Sequence, residues 1–146
     1  MSQDDERRVL HEICRNTNMG IQAIEQILDK VYDEELAYEL HVEAGKMKEF
    51  ESKASQRLYQ YGDQPADLKP IAQAMLKGSI RMKTMFRTET GDIAEMMQKG
   101  NRRGAEELKN AIHRYKNAGI YATELAKDVI DFEEKNLKKL ESYRDI

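Results

Sequence analysis

Four glutamates stand beside apolar residues that recur at helical spacing, and they are the side chains with the best geometry for chemistry: Glu25, Glu43, Glu51 and Glu133. If each helix turned by one position, their carboxylates would point inward and form an all-carboxylate site for a hard cation or for iron. The simpler interpretation places each glutamate at the flank of its helix, paired with a nearby Lys or Arg. Glu43, for example, has Lys46 and Lys48 close by. We favour this second interpretation, so no metal ligand is expected.

The histidines offer a weaker prospect for acid/base chemistry. His41 follows Tyr38 by one helical turn, and His113 precedes Tyr115, but only a fold that joined them could make a catalytic pair. The sequence has no Ser-His-Asp order, no glycine-rich phosphate loop and no Cys-x-x-Cys motif. We therefore predict no catalytic or cofactor-binding residue and do not expect an enzyme.

Composition excludes several classes of partner. The 24 basic and 27 acidic residues give a net charge of −3 and alternate along the chain, so no basic surface for nucleic acid is expected. No apolar run approaches the roughly 18 residues of a membrane span, and no signal-peptide core follows the first residues. The single cysteine, Cys14, adjoins Ile13 in an apolar stripe and is expected to be a buried thiol. A cytoplasmic protein without nucleic-acid or membrane partners is predicted.

Apolar residues spaced by three and four predict helices throughout the chain. The first helix should run from about Asp4 to Val31, with a softer middle at residues 16–20. Asp33 is a suitable N-cap for a second helix that stops at Gly62. No segment alternates with period two, so no strand is predicted.

The second half of the chain repeats this pattern after a loop that contains Pro65. A third, shorter helix is expected from Ile71 to Phe86, followed by a break at residues 88–92. The fourth helix should carry an apolar stripe that includes Gly-x-x-x-Gly, a spacing that lets a neighbouring helix approach closely: Ile93, Met97, Gly100, Gly104, Leu108, Ile112 and Tyr115. The last helix should run from Ile120 to near Tyr143.

These amphipathic helices can bury their stripes only against one another. The sequence therefore predicts one domain over residues 1–146, an all-α antiparallel four-helix bundle with a short extra helix as crossover. Several features follow the same order as in the ferritin-like superfamily: the Asn16-Thr17-Asn18-Met19-Gly20 interruption, the Asp33-Glu34-Glu35-Leu36 restart, Gly62, Leu76-Lys77-Gly78 and Gly100. Through them the chain resembles an uncharacterised bacterial branch of that superfamily.

The resemblance implies a position for a metal centre, and the residues there depart from the pattern. Ferritin-like metal proteins bind two iron or manganese ions through a glutamate from each of two helices and a Glu-x-x-His from each of the other two. Here the residues three before the histidines are Arg8, Tyr38 and Asn110, and the last helix has no histidine. Amides occupy positions where the resemblance implies acids: Gln22, Gln98 and Asn101. No cofactor is expected, with iron or manganese as the alternative.

Methionines cluster around the third helix and the start of the fourth, at Met75, Met82, Met85, Met96 and Met97. They exceed what one helix seam needs, so a homodimer is predicted. The leading hypothesis is a non-enzymatic structural or protein-interaction bundle. The alternatives are metal binding through an all-carboxylate site and small-ligand binding in a methionine-lined groove.

Overall fold

A computed structural model describes residues 2–65, 77–78, 80–81 and 89–144, and this part of the chain is helical without any strand. Its four long helices are α1 (Gln3–Ile27), α2 (Glu34–Gln60), α3 (Thr90–Arg114) and α4 (Ile120–Glu141). A short 3₁₀ turn, Leu28–Lys30, follows α1. The predicted all-α class is confirmed. The third helix expected over residues 71–86 lies mostly outside the described residues, of which 77–78 and 80–81 are helical.

Local capping fixes where the helices begin and end. The Asp33 side chain accepts a hydrogen bond of 2.9 Å from the Leu36 amide and starts α2, as predicted. Gly62 (φ 72°) and Gly119 (φ 88°) adopt positive φ, which glycine tolerates best, directly after α2 and directly before α4. Helix α3 begins at Thr90, inside the segment 88–92 where a new helix was expected to start.

The polar segment in the middle of α1 remains helical, and the helix ends earlier than predicted, at Ile27 instead of Val31. The Thr17 hydroxyl donates to the carbonyls of Ile13 (2.8 Å) and Cys14 (3.2 Å), so it is satisfied inside the helix. Asn16 bonds to the Gly104 carbonyl of α3 and Gly20 lies next to Met47 of α2, so these residues interrupt the apolar stripe without interrupting the helix.

Contacts between helices fix their directions. Glu6, near the start of α1, contacts Arg57, near the end of α2, at 2.8 Å, so α1 and α2 run in opposite directions. The Asp5 carboxylate accepts from the Asn117 amide, just after α3, at 3.3 Å, so α3 also runs opposite to α1. The end of α2 and the start of α3 therefore lie at opposite ends of the helices. Gln98 contacts Leu137 and Gly104 contacts Glu133, which makes α3 and α4 opposite as well.

Two apolar clusters fill the space between the helices. One surrounds Leu10, Leu58 and Leu108, and the other surrounds Ile24, Leu40 and Ile93. Buried polar residues lie between the clusters along all four helices, so the apolar core is interrupted halfway along its length. None of the described helices has an apolar stretch long enough to cross a membrane.

Candidate functional site

The interruption of the core is a layer of buried polar side chains to which every long helix contributes. We term it the polar layer, and its members are Asn16, Thr17, Glu43, Gln98, Asn101, Glu133 and Asn136. Glu43 is 5% exposed and Glu133 is 3% exposed, values as low as those of the surrounding leucines. Ionisable side chains are rarely buried this deeply unless they are paired, so the layer requires an explanation.

Hydrogen bonds to backbone carbonyls hold the amides of this layer inside the protein. Asn16 Nδ2 donates to the Gly104 carbonyl at 2.9 Å, and Gln98 Nε2 donates to the Leu137 carbonyl at 2.8 Å. Gln98 also donates to Glu141 Oε2 at 2.8 Å. These bonds offset the cost of burying an amide.

The buried face of α3 therefore differs from the predicted stripe. Gly100 was expected to be buried and is exposed, whereas Gln98 and Asn101 are buried in its place. The predicted stripe was based on hydropathy alone. Hydropathy does not show that a neighbouring helix provides a backbone carbonyl to which a buried amide can donate. No atom lies within 4 Å of the position that a β-carbon at Gly100 would occupy, so close helix packing at this residue was wrongly predicted.

Gly104 does permit a close approach, but by a side chain. A β-carbon at this position would lie 2.5 Å from Glu133 Oε2 and 2.6 Å from Oε1. The missing side chain of Gly104 thus provides the room in which the Glu133 carboxyl group sits.

Burial changes the acidity of both glutamates. It raises the pKa of Glu133 to about 9, with further increases from the negative charges of Glu43 and Glu107. Burial also raises the pKa of Glu43 to about 7, although the adjacent Asn101 and Asn136 side chains lower it. At neutral pH Glu133 therefore carries a proton, and the pKa of Glu43 lies well above that of an exposed glutamate.

Unpartnered polar atoms are concentrated in this layer. Five buried side-chain nitrogen or oxygen atoms in the described part of the chain have no hydrogen-bond partner, and four of them belong here: Asn16 Oδ1, Asn101 Nδ2, Glu133 Oε2 and Asn136 Nδ2. An unsatisfied buried polar group costs about 1–3 kcal/mol. The unpartnered atoms of this layer therefore lower the stability of the fold.

A cavity of about 240 Å³ opens onto the polar layer. Its polar floor consists of Asn16, Glu43, Asn101 and Glu133. Its wall is apolar and rich in methionine: Met19, Ala23, Met47, Ile80, Met96 and Met97. Lys99, Gly100, Arg103 and Glu107 also line it, and Gly100 and both basic residues are exposed at the surface. The cavity thus combines an acidic floor with an apolar wall.

The structure brings together two of the four glutamates predicted as weak metal candidates. Glu43 and Glu133 meet in the polar layer, close enough for one to raise the pKa of the other. Glu25 is exposed and lies 3.8 Å from Lys48 Nζ, as the flank interpretation predicted. Glu51 is half-buried outside the cavity lining, and its charge raises the pKa of Cys14.

The flank interpretation is wrong for Glu43 and Glu133. Lys46 was the expected partner of Glu43, but its Nζ lies 3.3 Å from Glu49 Oε2. Lys48 Nζ lies 3.8 Å from Glu25 Oε1. Both lysines project from the exposed side of α2, whereas Glu43 projects from the buried side together with Met47. Residues three to five apart on a helix share a face only approximately, so spacing alone could not decide between the interpretations.

The remaining reactive side chains lie away from the cavity lining. His11 Nε2 is 2.9 Å from Asp63 Oδ2. His41 and His113 are exposed, the first in the opening half of α2 and the second near the end of α3. The Cys14 thiol is buried, as expected, and burial raises its pKa to about 11.

The donors of the polar layer do not fit a pair of iron or manganese ions. Such a centre needs several carboxylates and histidines to balance the metal charge, and this layer offers two carboxyl groups and neutral amides. Within residues 2–65, 77–78, 80–81 and 89–144, no three His, Cys, Asp or Glu side chains form a group that could hold a metal ion.

The sequence offered a methionine-lined groove as one alternative, but it did not identify Asn16 and Asn136 as buried members of the polar layer. Asn16 was noticed only as a poor helix former within an apolar stripe. Asn136 follows Glu133 by three residues, a spacing that places both side chains on one helix face. Each long helix carries a polar residue at the same level along the bundle. This pattern can be recognised in the sequence only after all four helices have been aligned with one another.

Comparison with protein families identifies the family to which the chain belongs. The family described as "Domain of unknown function (DUF2383)" matches residues 5–114, a range that covers α1, α2 and α3 almost completely. No curated protein and no solved structure matches the chain. The matched range contains Asn16, Glu43 and Asn101, whereas Glu133 lies beyond it.

Proposed function

We propose that this member of the DUF2383 family is a non-enzymatic binding protein. In this proposal it is a ferritin-like antiparallel four-helix bundle that admits a small ligand to its polar layer. The sequence alone favoured a structural or interaction role and held small-ligand binding as an alternative. The cavity favours small-ligand binding over a structural or interaction role, because an interaction surface does not require a hollow, polar interior.

One observation carries this proposal: unpartnered, buried polar atoms of Asn16 and Glu133 border a cavity whose wall is apolar. A bundle whose interior served packing alone would gain stability from aliphatic side chains at these positions. Ligand sites are typically concave and mostly apolar, with a few convergent polar groups of shifted pKa. The polar layer has each of these properties.

The helix directions support the ferritin-like part of the proposal. Because α2 and α3 run the same way, a crossover must join them, as in bundles with one long connection. Glu43 and Glu133 correspond to the glutamates of the two Glu-x-x-His motifs, with Lys46 and Asn136 where the histidines would stand. Asn101, one of the amides where the resemblance implies an acid, lies in the polar layer on α3, and Asn16 is the buried amide of α1. This correspondence preserves the polar layer while replacing most of the metal ligands.

The cavity lining supports a binding role without catalysis. Among the described residues that line the cavity there is no Ser, Thr, Cys, His or Tyr, the side chains that most often serve as nucleophile or base beside a carboxylate.

A thermal-denaturation screen with a cavity-blocking variant tests the proposal. Gly100→Leu adds a side chain at the cavity lining, where no atom lies within 4 Å of the new β-carbon, so the fold should tolerate it. Gly45→Leu is the matched control, because Gly45 is also exposed, lies within α2 and does not line the cavity. The probes are small amines, alcohols, carboxylates, nucleobases and divalent metal salts.

We expect at least one probe class to raise the melting temperature of the wild type and of Gly45→Leu by several degrees, and to lose this effect in Gly100→Leu. If no probe stabilises the wild type, or if stabilisation persists unchanged in Gly100→Leu, the cavity is not a ligand site.

A further inference from the structure

We infer that the ligand is a small organic amine whose ammonium group binds between Glu43 and Glu133 while its apolar body lies against the methionine-rich wall. This inference rests on the proposed binding function and specifies the chemical class of the ligand.

The floor of the cavity has acidic groups without a cation of its own. No salt bridge of the described residues involves Glu43 or Glu133, although Lys139 acts on Glu43 at longer range. Glu39 adds negative charge near Glu43, and Glu107 does so near Glu133.

The basic residues that line the cavity are paired with carboxylates other than Glu43 and Glu133, although Glu107, the partner of Arg103, also lines the cavity. Lys99 Nζ lies 3.8 Å from Glu95, and Arg103 Nε lies 3.1 Å from Glu107. A cation that entered the cavity would therefore be the nearest counter-charge for the two carboxyl groups.

The unpartnered atoms match an ammonium group. An ammonium donates three hydrogen bonds and accepts none. Asn16 Oδ1 and Glu133 Oε2 are acceptors without a donor, on side chains that are 8% and 3% exposed, and the Glu43 carboxylate supplies a third acceptor. The amides of Asn101 and Asn136 are adjacent to Glu43 and stabilise its ionised form, although neither Nδ2 has a partner within hydrogen-bond distance. An ammonium supplies donors to the acceptors of Asn16 and Glu133 and places a positive charge beside the ionised Glu43 carboxylate.

The cavity is larger than a bare ion requires. An engineered apolar cavity of about 150 Å³ accommodates benzene, and this one measures about 240 Å³. Its apolar wall gains nothing from a hydrated metal ion, whereas an alkyl or aryl group buried there contributes about 0.8 kcal/mol per methylene. An amine with a body of about six to eight carbons satisfies both the wall and the floor.

Binding is coupled to proton release. The ammonium enters with its own proton, Glu133 loses its carboxyl proton to solvent, and the product is a carboxylate hydrogen-bonded to the ammonium. The O–H bond of the Glu133 carboxyl group breaks and its proton passes to a solvent or buffer base. No covalent bond forms between the amine and the protein. Because Glu133 is protonated at neutral pH, affinity should rise between pH 6.5 and pH 8.5, where the amine remains charged.

Isothermal titration calorimetry with matched probes tests the inference on the full chain. The probes are hexylamine and benzylamine, with hexanol, benzyl alcohol and hexanoate as analogues of the same size, and MnCl₂. Titration in two buffers of different ionisation enthalpy counts the protons released. The variants are Glu43→Gln and Glu133→Gln, and Glu25→Gln is a control that changes an exposed glutamate of α1.

We expect the amines to bind at least tenfold more tightly than the alcohols and hexanoate, with net proton release at pH 7. Glu43→Gln and Glu133→Gln should each weaken amine binding at least tenfold, while circular dichroism shows retained helix and Glu25→Gln leaves affinity unchanged. Alcohols that bind as tightly as amines, or amine binding that survives both cavity substitutions, would overturn the inference and leave a ligand cavity in place. Binding of MnCl₂ in place of amines would overturn it in favour of a metal site. Failure of the Gly100→Leu test, in contrast, removes the proposed function itself.

Discussion

At the scale of single residues, the polar layer shows how a side chain of unfavourable type can be retained in a core. Asn16 and Gln98 are stabilised by backbone carbonyls of neighbouring helices, so their burial has a structural explanation. Glu133 has no comparable partner and occupies space that exists only because residue 104 is glycine. Gln98 and the Asn16 amide nitrogen are thus satisfied within the fold, whereas Glu133 Oε2 has no partner and could accept a hydrogen bond from a ligand.

The raised pKa of Glu43, about 7, predicts that wild-type stability falls as pH increases. A glutamate with a folded pKa above its unfolded value of about 4.3 favours folding when protonated, so this contribution is lost between about pH 4.5 and pH 7. The pKa of about 9 for Glu133 extends the decline to higher pH. In urea denaturation at pH 5, 7 and 9, Glu43→Gln should flatten the profile.

Glu25→Gln provides the control for this experiment, because Glu25 is exposed and its removal should leave the slope of stability against pH unchanged. Parallel profiles for the wild type and Glu43→Gln would show that Glu43 does not ionise in a buried environment.

At the scale of helices, the sequence predicted where the helices begin and end better than it predicted which face of each helix is buried. Capping is local chemistry, so Asp33 and Gly62 marked the limits of α2 correctly. The inward face of α3 depends on what neighbouring helices offer, and hydropathy placed exposed Gly100 inside and gave no place there to Gln98. For the same reason the four candidate glutamates could be identified from sequence, while the meeting of Glu43 and Glu133 could not.

The two glycines of α3 should respond oppositely to alanine. Gly100→Ala is expected to stabilise the protein by up to about 1 kcal/mol, because the position is exposed and helical. Gly104→Ala brings a β-carbon within 2.5 Å of a Glu133 oxygen and must displace the buried carboxyl group. We expect it to be about 1–2 kcal/mol less stable than Gly100→Ala in chemical denaturation. Equal stabilisation by both substitutions would show that Glu133 has no fixed position beside α3.

At the scale of the whole molecule, a polar layer between two apolar clusters places the cavity where all four helices meet. A ligand held there contacts residues of α1, α2, α3 and α4 together, so its binding energy adds to the stability of the entire assembly of helices. This arrangement also changes the basis of the dimer prediction. Met97 is buried and lines the cavity with Met96, so these two methionines serve the interior.

The homodimer stays a prediction, now supported by the exposed side of α2. Tyr38 is 67% exposed and Val42 is 42% exposed, and the two side chains lie one helical turn apart on α2. If this side of α2 pairs with a second copy, Val42→Lys should convert a dimer to a monomer in sedimentation at several concentrations, because it places a charge in the interface. Tyr32→Lys, a change at an exposed residue before α2, should leave the dimer intact. A wild-type chain that sediments as a monomer at every concentration tested would contradict the dimer, and it would leave the cavity as the feature through which this protein acts.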